Sequence, residues 1–164
     1  ERAKDSQFAK NWEGVRSIHK LRGAYHYFRP NENSIKQANN FIKTVKLRPG
    51  DLPPVLDIEE RPRHQSMDSL RIGLKRWLDK VEAHYNIRPI VYSGDSYFTE
   101  FLEEEFKAYK LWIANYNFWI ESPNAHWDIW QFSEKGSVNG IKGFVDLNMY
   151  RDDVEELEKL TLPY

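Results

Sequence analysis

Two carboxylic acids, Asp57 and Glu59, follow a short apolar run, Val55 and Leu56, and are separated by Ile58. A run of this kind, preceded by prolines, is typical of a buried strand. Side chains two positions apart on a strand share a face, so both acids should point to one side and Leu56 and Ile58 to the other. The rise per residue then places the two acidic Cα atoms roughly 6 to 7 Å apart.

Two negative charges at that distance repel, which favours one neutral and one ionised carboxyl group. General acid and base chemistry needs this division. The structural alternative is a strand end whose acids cap the next helix or pair with arginine, and for an isolated Asp-x-Glu this is the commoner outcome.

The length and composition of the chain indicate the number of domains and exclude several kinds of partner and site. A chain of 164 residues is expected to form a single domain, residues 1–164. The net charge of −1 argues against nucleic acid as a partner, because binding phosphate backbones requires a basic surplus. Cysteine is absent, which excludes disulfides and thiolate metal sites. No apolar stretch approaches the ~20 residues of a membrane-spanning helix, and no signal peptide is visible.

Helical and strand patterns alternate along most of the chain. Helices are expected at residues 5–20 with Asp5 as cap, from Ser34 towards Pro49, at 66–85, around Phe98–Leu102, and from Asp152. Strands are expected at residues 23–28, 54–59, 89–93, 111–116, 128–132 and 144–147. Val138–Ile141 contains Asn-Gly, which predicts a hairpin with a type I′ turn.

This order predicts an α/β protein with a parallel sheet and a strand-rich, hairpin-like last third. A TIM-like barrel that lacks helices on one side fits both parts. Chemistry in such barrels lies at the carboxyl ends of the strands. The polar residues expected there are His26, Asp57, Glu59, Ser93, Tyr116, Gln131 and Asp146.

Six segments of the chain carry a family resemblance. They are Gly23–Pro30 (GAYHYFRP), Pro54–Glu59 (PVLDIE), Pro89–Ser93 (PIVYS), Leu111–Tyr116 (LWIANY), Ile129–Phe132 (IWQF) and Gly143–Asn148 (GFVDLN). Their order resembles that of family 25 glycoside hydrolases, the Chalaropsis-type lysozymes, over nearly the whole chain. The resemblance implies a (β/α)5(β)3 barrel that cleaves the β-1,4 bond between N-acetylmuramic acid and N-acetylglucosamine in peptidoglycan.

The resemblance also implies roles for residues. Glu59 matches the general acid of the family, Asp57 the second carboxylate, and Asp146 a further acid of the active site. As general acid, Glu59 would have to hold its proton near neutral pH, which burial beside aromatic residues and the charge of an ionised Asp57 would both favour. It implies peptidoglycan strands as the partner, no cofactor, and a secreted, periplasmic or cell-wall-associated location, and we expect a monomer. Family members usually open with strands bearing Asp-Val-Ser and Lys-Ala-Thr/Ser-Glu-Gly, which are not found before Asp5. The barrel is therefore expected to lack its two N-terminal strands and to expose two unpaired edges.

Aromatic residues near the strand ends are candidates for stacking on sugar rings or for packing in the core. They are Tyr25, Tyr92, Trp112, Tyr116 and Trp130.

Gln131 could donate a hydrogen bond to an acetamido carbonyl, or it could only form hydrogen bonds with polar groups inside the barrel. His26 among aromatics is more typical of a core histidine. Ser93 lacks the sequence context of a hydrolase nucleophile. Two other functions remain open: an inactive carbohydrate- or wall-binding module, and a divalent-metal hydrolase using Asp57, Glu59, Asp146 and His26.

Overall fold

The computed structural model describes residues 4–117 and 122–163, which form one curled six-stranded sheet with helices packed on it. The elements in order are α1 (Phe8–Ser17), β1 (Tyr25–Tyr27), α2 (Ser34–Thr44), β2 (Val55–Asp57), α3 (Met67–Tyr85), β3 (Ile90–Gly94), α4 (Asp95–Phe101), α5 (Glu103–Phe106), β4 (Lys110–Ala114), β5 (Ile129–Gly136), β6 (Val145–Tyr150) and α6 (Val154–Lys159). None of the helices in this described part is long and apolar enough to cross a membrane.

The strands pair in sequence order, from β1 to β6. The pairs from β1 to β5 are parallel, whereas β5 and β6 are antiparallel. Parallel pairs need crossover helices, and the helices between the early strands supply them. The prediction of an α/β protein with a parallel sheet and a hairpin at the end is therefore confirmed.

Apolar periodicity explains the core. The predicted stripe of α3, including Leu74 and Trp77, is buried against Leu56 and Ile58, which are 0% exposed. Helices α1 to α5 all contribute residues to this core on one face of the sheet. Asp57 lies on the opposite face of the sheet, which is therefore available for a functional site.

Side-chain caps start three of the helices. Asn33, Ser66 and Asp153 accept hydrogen bonds from backbone N–H groups three residues further on, at 2.9 to 3.1 Å. The closing helix thus has its cap one residue later than expected. Asp5 does not cap α1: its Oδ1 accepts from the Gln7 N–H in a preceding turn, and the helix begins at Phe8.

The turn between β5 and β6 differs from the predicted type I′ hairpin. The Ile141 N–H donates to the Val138 carbonyl at 3.1 Å, so a four-residue turn forms. Gly140 has a φ of +93°, but Asn139 is not among the residues with positive φ. Positive φ at the third position alone is typical of a type II turn. The two strands are connected by residues 137–144, so this turn sits within a longer loop.

The outer edge of β1 has no strand partner among the described residues, and β6 pairs only with β5. Ala24 and Phe28 bond to β2, through Val55 N–H to Ala24 O and Phe28 N–H to Asp57 O. By alternation, the main-chain groups of Tyr25 and Tyr27 face outward. A cavity of about 730 Å³ follows this edge. The described sheet is therefore open, and a closed (β/α)5(β)3 barrel stays a prediction.

Gly136 provides a test of the β5–β6 pairing. A Cβ at this position would lie 2.5 Å from Leu147 Cδ2 and 2.8 Å from the Val145 carbonyl oxygen. We expect Gly136→Ala to lower the free energy of unfolding by about 1–3 kcal/mol, as overpacking does. Gly14→Ala is the matched control, because nothing lies within 4 Å of its added Cβ and alanine favours a helix. Thermal unfolding of both variants checks this, and an unchanged melting temperature for Gly136→Ala would contradict the described pairing.

Candidate active site

Asp57 and Glu59 lie on the same side of the sheet, as their spacing predicts. Asp57 ends β2 and is 6% exposed, whereas Glu59 follows the strand and is exposed. The charge of Glu59 acts on Asp57, so the two carboxyl groups lie within electrostatic range of each other. Leu56 and Ile58 point the other way, into the core.

The burial of the two acids differs from the sequence-based expectation. Burial, together with the charge of Glu59, raises the pKa of Asp57 to about 8. Glu59 is the exposed member of the pair, so the burial that was expected to keep it protonated is not observed. Asp57 Oδ1 is buried with no hydrogen-bond partner in residues 4–117 and 122–163. Asp57 is therefore the member of the pair whose neutral form is favoured by its surroundings.

A row of aromatic residues flanks Asp57 across the sheet. The register aligns Tyr27 with Asp57, Asp57 with Tyr92, and Tyr92 with Trp112, so these side chains share a face. The rings of Tyr92 and Trp112 meet edge to face, with centroids 5.7 Å apart. Trp112 Nε1 donates to Asn148 Oδ1 at 2.8 Å, which fixes the indole ring. The sheet thus presents aromatic side chains next to the buried acid.

Gln131 joins two tyrosines of this face. Its Oε1 accepts hydrogen bonds from the Tyr92 hydroxyl at 2.6 Å and the Tyr116 hydroxyl at 3.1 Å. Burial raises the pKa of Tyr92, and the charges of Tyr116, Glu59 and Asp57 raise it further. Tyr92 therefore lies close to the acidic pair. Because the amide oxygen of Gln131 is already engaged, its NH₂ end is the part that could meet a ligand.

Asp146 and Tyr25 lie on the strands that border the open side of the sheet. Alternation along β6 places Asp146 on the same face as Asn148, and both are exposed. Burial raises the pKa of Tyr25, and so do the charges of Asp57, Asp5, Asp146 and Glu59. Tyr25 is thus in electrostatic range of all three predicted acids, which the structure brings to one side.

Trp130 is not brought into this group. Its neighbours across the sheet are Ile113 and Met149, on the opposite face from Gln131, and it is 8% exposed. Its Nε1 donates to the Asn115 carbonyl at 2.8 Å. Trp130 therefore packs on the face of the sheet opposite the acids, and this position does not favour a contact with a sugar.

His26 and Ser93 also face the helices. His26 stacks on Trp77 with ring centroids 5.5 Å apart, and its Nε2 is 2.9 Å from Gln37 Oε1. Burial lowers the pKa of His26, so the imidazole is neutral at physiological pH. The Ser93 hydroxyl donates to the Ile58 carbonyl at 2.7 Å, just before Glu59.

The described residues contain no group of three or more His, Asp or Glu side chains that could hold a metal ion. His26, which the metal hypothesis requires, lies across the sheet from the carboxylates. This arrangement gives the divalent-metal alternative no support.

Sequence reasoning missed several polar residues of the site. Asn148 could have been found, because it lies two residues after Asp146 on the same strand. Glu60 could not, because its partners are distant in sequence: Tyr27 donates to its carboxylate and Tyr97 to its carbonyl, each at 2.9 Å. These two bonds fasten the loop that carries Glu59.

Comparison with known proteins decides the family. The family model described as glycosyl hydrolases family 25 matches residues 1–141. The chain belongs to this family. The family 25 assignment agrees with the resemblance carried by the six sequence motifs.

Two curated relatives differ in how much is known of them. An Escherichia coli protein named YegX, described as uncharacterized, is 40% identical over 159 residues, which is 96% of this chain and 58% of that protein. The autolytic lysozyme of Clostridium acetobutylicum is 28% identical over 92% of this chain and 45% of its own length. The chain therefore spans less than two thirds of the length of each of these two relatives.

Solved structures share the fold. A family 25 glycosyl hydrolase from Bacillus anthracis superposes with a TM-score of 0.87 at 24% identity, covering 99% of this chain and 79% of that one. A bacterial lysozyme from Streptomyces coelicolor gives a TM-score of 0.84 at 26% identity, covering 96% and 80%. The curled sheet is therefore that of family 25 structures.

Proposed function

We propose that this chain is a lysozyme, an N-acetylmuramidase that cleaves the β-1,4 bond between N-acetylmuramic acid and N-acetylglucosamine in peptidoglycan. The observation that carries the proposal is the Asp57–Glu59 pair, two interacting carboxyl groups on one face with a raised pKa at Asp57. Family membership supports it, as does the relative named as an autolytic lysozyme.

The two carboxyl groups would have different roles. Glycoside cleavage needs a proton for the leaving oxygen and a negative group facing the developing oxocarbenium ion. Glu59 is exposed and can reach the glycosidic oxygen, so we assign it as the general acid. Asp57 is buried beneath it and becomes the stabilising carboxylate.

This assignment requires the shared proton to move from Asp57 to Glu59 when substrate binds. The electrostatic coupling of the two carboxyl groups on one face supports such a transfer. A bound glycan that covers Glu59 would displace water and favour its neutral form, because desolvation disfavours a charged carboxylate. The developing positive charge on the sugar would favour ionised Asp57 in the same step.

The substrate's own 2-acetamido group could act as the nucleophile, with Asp57 holding its amide. The Cα spacing of the two acids lies between the ranges typical of retaining and inverting enzymes and does not decide the matter. Clean inversion at the anomeric carbon would exclude this route.

The aromatic face next to the pair would bind the glycan. Tyr92, Trp112, Tyr116 and Tyr25 are the proposed sugar contacts, and the NH₂ end of Gln131 would donate to an acetamido carbonyl. The exposed Asp146 would be the third acid of the cleft. Trp130 is left out because it packs on the other face.

The same proposal covers the organisation of the protein. Residues 1–164 would form one catalytic domain whose six strands correspond to six of the eight in a (β/α)5(β)3 barrel. The open edges of β1 and β6 and the cavity along β1 support this, because they leave room for two further strands. The proposed substrate implies action at the cell wall, as a secreted, periplasmic or cell-wall-associated protein, and we propose that the protein acts as a monomer.

A direct test is the digestion of purified peptidoglycan, followed by borohydride reduction of the new ends. The proposal expects muramitol after acid hydrolysis of the reduced products. Glucosaminitol would show that the other glycosidic bond is cut, and a lack of new reducing ends would exclude hydrolysis.

A wall-binding module without turnover is the second candidate. The open β1 edge favours it, because the described sheet does not close around the acids. This alternative predicts that the protein sediments with purified cell walls but releases no reducing ends.

A further inference from the structure

Asp95 is a buried carboxylate outside the acidic pair. It is the first residue of α4, directly after β3, and is 5% exposed. Its Oδ1 accepts the Ala125 N–H at 2.9 Å, and its Oδ2 accepts the Asn124 N–H at 2.9 Å and Asn115 Nδ2 at 2.8 Å. All three donors belong to the connection between β4 and β5.

These bonds fasten both ends of that connection to one carboxylate. Asn115 directly follows β4, and Asn124 and Ala125 precede β5 by a few residues. Asn115 is held further by its own N–H, which donates to the Gln131 carbonyl at 3.0 Å. Its main-chain position is therefore fixed from two sides.

Tyr116 is the residue that this anchoring would place. It follows Asn115, is 48% exposed, and shares the Gln131 Oε1 acceptor with Tyr92. A continuous set of contacts thus runs from Asp95 through Asn115 and Tyr116 to the ring next to the acidic pair. The chemistry of Asp95 suits this task, because a carboxylate only accepts and the three groups around it only donate.

We infer that Asp95 is a positioning residue that sets Tyr116 against the glycan, and so controls substrate binding without touching the reacting atoms. The inference rests on the proposed lysozyme function. It assigns a purpose to the buried carboxylate at the junction of β3 and α4.

Asp95→Asn is the decisive variant, because its NH₂ group would face the donors of Asn115 and Asn124. With soluble peptidoglycan glycan strands as substrate, we expect KM to rise about threefold to tenfold while kcat changes little. This rise corresponds to the loss of one aromatic contact with the sugar. Hydrogen exchange at the Asn124 amide should accelerate by about tenfold or more, because this amide loses its acceptor, whereas the Ala125 N–H keeps the remaining side-chain oxygen.

Asp128→Asn is the matched control. Asp128 is also buried, at 8% exposure, and accepts from Lys110 Nζ and the Leu111 N–H, each at 2.8 Å. It lies at the other end of β4, away from the acids. This variant should unfold at a lower temperature while KM and the exchange of the Asn124 amide stay unchanged.

The double variant Asp95→Asn with Asn115→Asp restores a donor and an acceptor in reversed order, so part of the KM effect should be recovered. The inference is overturned if Asp95→Asn behaves like Asp128→Asn, with lower stability but normal KM and normal exchange. A wild-type protein that releases no reducing ends would refute the lysozyme proposal instead, and the exchange comparison would still decide whether Asp95 holds the segment.

Discussion

Glu59→Gln should lower the rate of peptidoglycan hydrolysis by about 10²–10⁴-fold, the contribution expected of a general acid. Glutamine keeps the size of the side chain but cannot deliver a proton to the leaving oxygen. Because Glu59 is exposed, the variant should fold and unfold like the wild type. The initial rate of reducing-end release, measured beside a thermal unfolding curve, separates lost chemistry from lost structure.

Glu60→Gln is the control for this substitution. Glu60 is the neighbouring exposed acid, and its carboxylate accepts from the Tyr27 hydroxyl at 2.9 Å, which a glutamine oxygen can still do. This variant should retain nearly all activity. Equal losses in the two variants would indicate that general negative charge at this loop matters, and would remove Glu59 from its assigned role.

Asp57→Asn should remove activity and stabilise the fold above about pH 4. Burial raises the pKa of Asp57 to about 8, whereas the ordinary value is 3.8. Below about pH 4 the carboxyl group is neutral in both the folded and the unfolded state, so it does not change the free energy of unfolding. Between about pH 4 and pH 8 the unfolded chain ionises while the folded chain keeps its proton, so wild-type stability falls by up to about 1.4 kcal/mol per pH unit.

Asparagine does not ionise, so the Asp57→Asn variant does not lose stability in this way as the pH rises. The unfolding free energy of the variant should exceed that of the wild type by several kcal/mol at pH 8, and the difference should vanish near pH 4. Urea titrations across this range measure it directly. A constant difference between the two proteins at all pH values would contradict the raised pKa of Asp57.

The sequence predicted the framework of the fold because its signals are local. Proline-bounded apolar runs gave the strands, the stripe of α3 gave its buried face, and the Asp-x-Glu spacing gave two acids on one side. The same rule of alternation also separates Trp130 from Gln131. Adjacent residues on a strand face opposite sides, so only one of them could join the aromatic face.

Other features depend on contacts that a linear pattern does not contain. Asp57 is buried because Tyr27 and Tyr92 lie in register on both sides of it, while Glu59 lies beyond the strand and is exposed. The anchoring by Asp95 joins residues about 20 to 30 positions apart. The Asn-Gly turn has a different type because it lies inside an eight-residue connection, where it does not join the strand ends directly.

The pairing of each strand with the next one in sequence has a consequence for synthesis. A ribosome releases the chain from its amino end, and early segments can begin to fold before later ones exist. Asp57 and Glu59 would therefore emerge well before Gln131, Asp146 and Asn148 on the last two strands. Under the proposed function, a nascent chain would stay inactive until its last two strands pair, so cleavage of the cell wall by unfinished protein would be prevented.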